Sequence, residues 1–154
     1  MGLDMYLNAK KYVQDWEHQH EDGIIPPDTI AKKAAALIDI HFPVTNIEMR
    51  VGYWRKANAI HQWFVNNCQD GEDDCRESFV SPRQLEELRS ACASVLEDNS
   101  LAGELLPPQE GFFFGSTDLD EYYFNDLKET IEIIDGITSH PNYKDLEFYY
   151  RSSW

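Results

Sequence analysis

The chain has 154 residues, with 28 acidic and 13 basic side chains, a formal net charge of −15, 42% hydrophobic and 13% aromatic content. That length suits a single domain over residues 1–154, and the apolar content is too high for a disordered chain. No apolar run reaches the roughly 18 residues of a membrane span, and so acidic a chain repels a nucleic-acid backbone, so neither a membrane nor direct nucleic acid is an expected partner.

The chain order begins with "GLDMYLNAKKYV", where Leu3, Met5, Leu7 and Ala9 alternate with polar residues. This predicts a half-buried strand. Residues 14–27 are polar, end in two prolines and read as a loop. The following "DTIAKKAAALIDIH" has Asp28 as a candidate cap and Ile30, Ala34, Leu37 and Ile38 at helical spacing, with Pro43 beyond. "NIEMRVGY" alternates again, with Ile47, Met49, Val51 and Tyr53 in phase, and runs directly into a helix that contains "YWRKANAIHQWF". "NNCQDGEDD" is a turn-rich acidic loop.

In "ESFVSPRQLEELRSACASVLED" a short strand leads to Ser81 at a helix N-cap, Pro82 at the first helical position and Gln84 closing a capping box. Leu85, Leu88, Cys92 and Val95 form its buried stripe. Residues 99–110 read as a loop marked by Gly103, Pro107 and Pro108. "GFFFGSTDLDEYYFNDLKETIEIIDGI" predicts a strand, a Ser-Thr-Asp cap and a long helix with Leu119, Tyr123, Leu127, Ile131 or Thr130, Ile134 and Ile137 inward. "DLEFYYRSSW" is a final strand. About five strands and four helices without a dinucleotide-binding glycine pattern predict an α+β fold with a mixed or mostly antiparallel sheet and helices on one face; a parallel α/β sheet is the alternative.

Charge is distributed unevenly along this plan. Residues 1–69 hold eight acids and seven bases, residues 70–135 eighteen and four, and residues 136–154 two of each. The acidic middle segment suits a basic protein partner, with Asp70, Asp73 and Asp74 as candidate contacts; structurally it is a solvated surface. Cys68, Cys75 and Cys92 are odd in number and share no metal spacing, and the N-terminus has neither a signal peptide nor, with Tyr6 at the sixth position, a myristoylation signal. A reduced chain in the cytoplasm, with no metal and no cofactor, is the expectation.

The helix within residues 52–64 holds the candidate ligand site. On a helical wheel Trp54, Ala57, Ile60, Phe64 and Val65 share an apolar arc; His61 lies inside it and Asn58 at its edge, while Arg55 falls on the wet side. A buried imidazole and carboxamide serve either as a satisfied polar pair pinning helix to sheet, or as a pocket floor with Trp54, Arg55, Asn58 and His61 around a ligand. Asp4, Tyr6, Ser116 and Arg151 are candidates for a third member of that constellation. "GFFFGSTD" lacks a phosphate-loop lysine and crowds Asp118, Asp120 and Glu121 at a helix start, which favours capping over phosphate binding. Counting Asn66 as 1, "NNCQDGEDDCRE" places Asp70, Gly71, Asp74 and Glu77 at positions 5, 6, 9 and 12 of a calcium loop, but Asn66 and Cys68 replace two essential acids. His18 and His20 form a surface pair in a loop, short of a metal site. No catalytic residue stands out.

The stretches "VGYWRKANAIHQWFVNNCQDGEDDC", "FVSPRQLEELRSAC" and "GFFFGSTDLDEYYFNDLKETIEII" resemble a family of small uncharacterised proteins encoded by tailed phages and prophages. The resemblance covers "GLDMYL" and most of residues 50–137, and Cys68 departs from the family's apolar residue there. It implies a phage accessory protein in the cytoplasm of a bacterial host cell, with no catalytic residue to carry over. Three functional readings follow: an acidic, non-enzymatic protein engaging a basic host protein, including in counter-defence; a small-ligand or nucleotide-binding protein, sequestering or hydrolytic, with a pocket around His61; and a structural or assembly component of the phage.

Overall fold

The alternating apolar residues of the first segment form strand β1 (Asp4–Tyr12), and Leu3, Met5, Leu7 and Ala9 are all fully buried. The computed structural model describes residues 2–26, 28–39 and 41–154; Met1, Pro27 and Ile40, which fall within the N-terminal, loop and helix readings above, lie outside the described residues. Three further strands, β2 (Asn46–Arg55), β3 (Ser78–Val80) and β4 (Glu147–Ser153), complete an antiparallel sheet of order β2-β1-β4-β3. In the β3–β4 register Ser78 faces Tyr150 and Val80 faces Phe148. The chain is therefore α+β.

The described residues form two compact units, one built from the N-terminal segment through Ala9 together with Arg50–Trp154, the other from Lys10–Met49. The second holds helices α1 (Glu17–Glu21) and α2 (Ile30–Leu37). So the expected loop at 14–27 contains a short helix, and the cap of α2 is Thr29 rather than Asp28: its hydroxyl oxygen accepts from the Lys32 amide at 3.3 Å. Thr29 also donates to the Asp15 carboxylate, which pairs with His20 at 3.0 Å. The Thr29 hydrogen bond is the main cause holding the Asp15 carboxyl below its ordinary value. His20 is thus occupied by Asp15 rather than aligned with His18.

The larger unit has α3 (Asn58–Cys68), α4 (Pro82–Glu97), α5 (Ala102–Leu105) and α6 (Glu121–Thr138). The Ser81 capping box forms as its sequence demands, with the Ser81 amide donating to Gln84 at 2.8 Å and the Gln84 amide donating to Ser81 Oγ at 3.2 Å. Leu85, Leu88, Cys92 and Val95 are then each 0% exposed; a leucine or valine so buried contributes about 1.5–3 kcal/mol. Helix α6 buries Tyr123, Leu127, Thr130, Ile134 and Ile137, and its cap is Asp120, one residue before the helix, rather than the Ser-Thr-Asp triplet. The loop expected at 99–110 contains α5.

Two strand expectations need correction. In β2 the inward residues are Gly52 and Trp54, with Met49 and Tyr53 exposed, so Trp54 and Arg55 belong to the strand and α3 begins only at Asn58. No strand forms at "GFFF": Phe112 is 93% exposed and Gly115 takes a left-handed φ of 90°, so the segment turns instead of pairing. In the core, Tyr150 stacks on Phe64 at a centroid distance of 4.0 Å, and Trp54 donates its indole N–H to Thr130 at 2.9 Å.

Candidate functional site

The junction between β2 and α3 positions the candidate residues. Lys56 makes the turn in the left-handed region, φ 61°; its amide donates to Leu3 and its carbonyl accepts from Asn58, both at 2.8 Å. A β-carbon at the neighbouring Gly115 would meet Lys56 at 3.4 Å. A non-glycine residue in this region stores strain of about 1–3 kcal/mol, held here by the bonds on either side.

Asn58 is 5% exposed and uses its whole carboxamide. Its Nδ2 donates to the Phe114 and Ser116 carbonyls at 3.1 and 2.8 Å, and its Oδ1 accepts from the Gln109 amide at 3.1 Å. Asn58 therefore ties the loop before α6 to the start of α3.

His61 is 0% exposed, and both ring nitrogens are engaged, Nδ1 with Tyr150 Oη at 2.8 Å and Nε2 with Asp73 Oδ2 at 2.9 Å. A carboxylate only accepts, so Nε2 donates to Asp73, while Nδ1 is hydrogen-bonded to the tyrosine hydroxyl. Burial, then Asp73, raises Tyr150 well above its ordinary value, which keeps that hydroxyl protonated. Asp73 also accepts from the Trp154 indole at 3.2 Å, and Phe114 meets the imidazole edge-on at 5.1 Å. The order acid–imidazole–hydroxyl is that of a catalytic triad, but the hydroxyl lies inside the core, where no substrate reaches it. This chain of groups fastens α3, β4 and the acidic loop together.

Arg55 and Asn58 do line a cleft, of about 220 Å³, with Lys56, Ser116, Asp118 and Asp126. Trp54 and His61 lie in the core instead. Of the residues named as a third member, Ser116 reaches the cleft, while Asp4, Tyr6 and Arg151 do not line it. Burial, followed by the nearby Glu129 and Asp120, pushes the Asp126 carboxyl up to about 7. Asp126 was missed in the sequence; the signal was a carboxylate at the edge of the Tyr123–Leu127–Thr130 stripe.

The acidic candidates separate. Asp70, Glu72 and Asp74 surround Arg76 at 3.9, 3.7 and 3.7 Å, while Asp73 turns inward to His61. Among the described residues no group of three or more His, Cys, Asp or Glu side chains is placed to hold a metal, and no helix is long and apolar enough to cross a membrane. No family model, curated protein or solved structure matches the chain.

Proposed function

We propose that this chain is a non-enzymatic binding protein, a phage accessory protein in the setting its motifs imply, whose acidic segment engages a basic host protein. The observation that carries the reading is the set of exposed carboxylates with no cation paired to them among the described residues: Glu97, Glu104, Asp118, Glu121, Glu129 and Glu132. Glu121, Glu129 and Glu132 share one side of α6. Tyr122, 79% exposed, lies beside that side, and Leu119, 48% exposed, just precedes the helix; both offer apolar contact near the carboxylates. Unpaired carboxylates of one sign raise the encounter rate with a basic surface and make binding salt-dependent.

The test is capture of partners by the tagged chain at low and at high salt, alongside the triple variant Glu121→Gln, Glu129→Gln, Glu132→Gln. A basic protein held at low salt, released at high salt and lost in the variant is the expected result. Retention that survives neutralisation rejects the reading. Asp73 is left intact in this test, since its change disturbs His61.

The cleft supports a second reading. It places Arg55 and Lys56 together with Asp118, Asp120 and Asp126, which suits a small ligand bearing both charges. Thermal stabilisation by an amino acid or nucleotide, abolished by Asp126→Asn and by Arg55→Ala, is the result that would favour it.

A further inference from the structure

The sheet face turned away from the core carries a different chemistry from the helices. Its outward residues include Asp4 and Tyr6 on β1, Tyr53 and Arg55 on β2, Phe79 on β3, and Glu147, Tyr149 and Arg151 on β4. Tyr6 is the centre of the group. The guanidinium carbons of Arg50 and Arg151 lie 4.6 and 5.0 Å from its ring centroid, and the Tyr53 ring lies 5.6 Å away. Phe79 and Tyr149 meet edge-to-face at 5.8 Å. Two acids of this face are engaged with its tyrosines: Asp4 accepts from Tyr53 Oη, and Glu147 accepts from Tyr149 Oη at 3.3 Å.

Among the described residues no carboxylate pairs with Arg50, Arg55 or Arg151. In a chain with 28 acids and 13 bases, Arg50 and Arg151, exposed around one tyrosine ring with no acid paired to them among the described residues, are a local departure, whereas Arg55 borders the acids of the cleft. They come from residues 1–69 and 136–154, whereas the charge excess comes from the segment that forms the acidic loop, α4 and α6. Charge is thus sorted between the two sides of the larger unit.

We propose that this sheet face binds a short single-stranded nucleic acid, with bases stacked on Tyr6, Tyr53 and the Phe79–Tyr149 pair and phosphates on Arg50 and Arg151. Aromatic rings interleaved with guanidinium groups on a sheet are how proteins hold unpaired bases and their backbone. Three strand intervals of about 4.8 Å separate β2 from β3, so the platform is about 14 Å wide, which suits about two or three nucleotides. Arg50, Arg151, Tyr53, Phe79 and Glu147 are all exposed, and a flat row of exposed groups across adjacent strands suits an extended strand. Net charge alone argued against this partner. The helical layer is about 10 Å thick, however, and the screening length at 0.1 M salt is about 10 Å, so carboxylates on the outer side of α4 and α6 act weakly at the sheet.

The experiment is fluorescence anisotropy of the full chain with a labelled oligothymidylate or oligouridylate across a salt series. The double variant Arg50→Ala, Arg151→Ala is expected to bind about tenfold or more weakly and to lower the slope of log affinity against log salt by about 0.7 for each arginine removed. Phe79→Ala, on an edge strand, is expected to weaken binding with the slope unchanged, and it keeps the test decisive if the double variant fails to fold. Absence of binding by the wild-type chain overturns the proposal, as does binding unaffected by these variants. Equal binding of polyglutamate also overturns it, by assigning the face to acidic proteins. The face is separate from the acidic surface of α6, so its failure leaves the protein-binding reading untouched.

Discussion

Replacing His61 by alanine separates a structural imidazole from a ligand-binding one. The change removes the bond to Asp73 and leaves the Tyr150 hydroxyl without its partner inside the core. An orphaned buried hydroxyl costs about 1–3 kcal/mol, and the cavity left beside Phe114 and Tyr150 adds about 2 kcal/mol. The total, about 4 kcal/mol, is a large fraction of the roughly 5–15 kcal/mol of a whole domain. For a chain of this size it lowers Tm by roughly 8–16 °C. Urea unfolding followed by far-ultraviolet circular dichroism measures the loss, and Trp154 fluorescence reports the release of Asp73. The companion double variant His61→Ala, Tyr150→Phe has no orphaned hydroxyl and should recover about 1–2 kcal/mol relative to additive losses. A His61→Ala loss below about 1 kcal/mol, with Trp154 emission unchanged, refutes the pinning role.

Asp126 gives a pH dependence. Its carboxyl, pushed up to about 7 by burial and by Glu129 and Asp120, holds its proton more tightly in the folded chain than in the unfolded one. Its stabilising contribution is therefore complete below about pH 4 and is lost as pH rises through 7, with no further change above. Asp126→Asn should remove that decline and gain about 1–2 kcal/mol at pH 8, allowing for the water that reaches this half-buried group. Equal slopes for both chains in urea unfolding between pH 5 and 8 would contradict this. Burial pushes the Cys68 and Cys92 thiols up to about 12, so a thiol reagent at neutral pH should find Cys75 first and the other two only after denaturation. Cys75→Ser should abolish the fast phase; a fast phase that persists would mean that Cys68 or Cys92 is open.

Local chemistry was readable where one segment contains all its own causes. The Ser81–Pro82–Gln84 start and the Leu85, Leu88, Cys92, Val95 stripe specify α4 without reference to anything distant, and the alternation in β1 does the same for its inner face. The partners of His61 were invisible for the opposite reason, since Asp73 and Tyr150 lie 12 and 89 residues away and periodicity carries no pairing information. The wheel drawn over residues 52–64 found His61 buried yet assigned Trp54 and Arg55 to a helix. The break between strand and helix is Lys56, whose positive φ has no glycine to announce it. "GFFFG" misled through β-propensity, which describes how rings fit a pleated surface and not whether a neighbouring strand is there to receive them. Of the candidate site, the cleft residues Arg55 and Asn58 were found by position, while Asp126 and the Arg50–Tyr6–Arg151 group needed the fold to bring them together.

The pairing of β1 with β4 has a consequence for how the chain is made. The two central strands of the sheet come from opposite ends of the described chain, and β3 has only β4 beside it. During synthesis α3, α4 and α6 emerge before Phe148 and Tyr150, so His61, Phe64 and Leu7 must wait for β4 before the core can close. A nascent chain arrested anywhere before Glu147 displays an apolar strand edge on β1 and a β3 with no partner, the surface that chaperones and proteases recognise. Emergence of β4, rather than the appearance of any single helix, is the event that lets this sheet close.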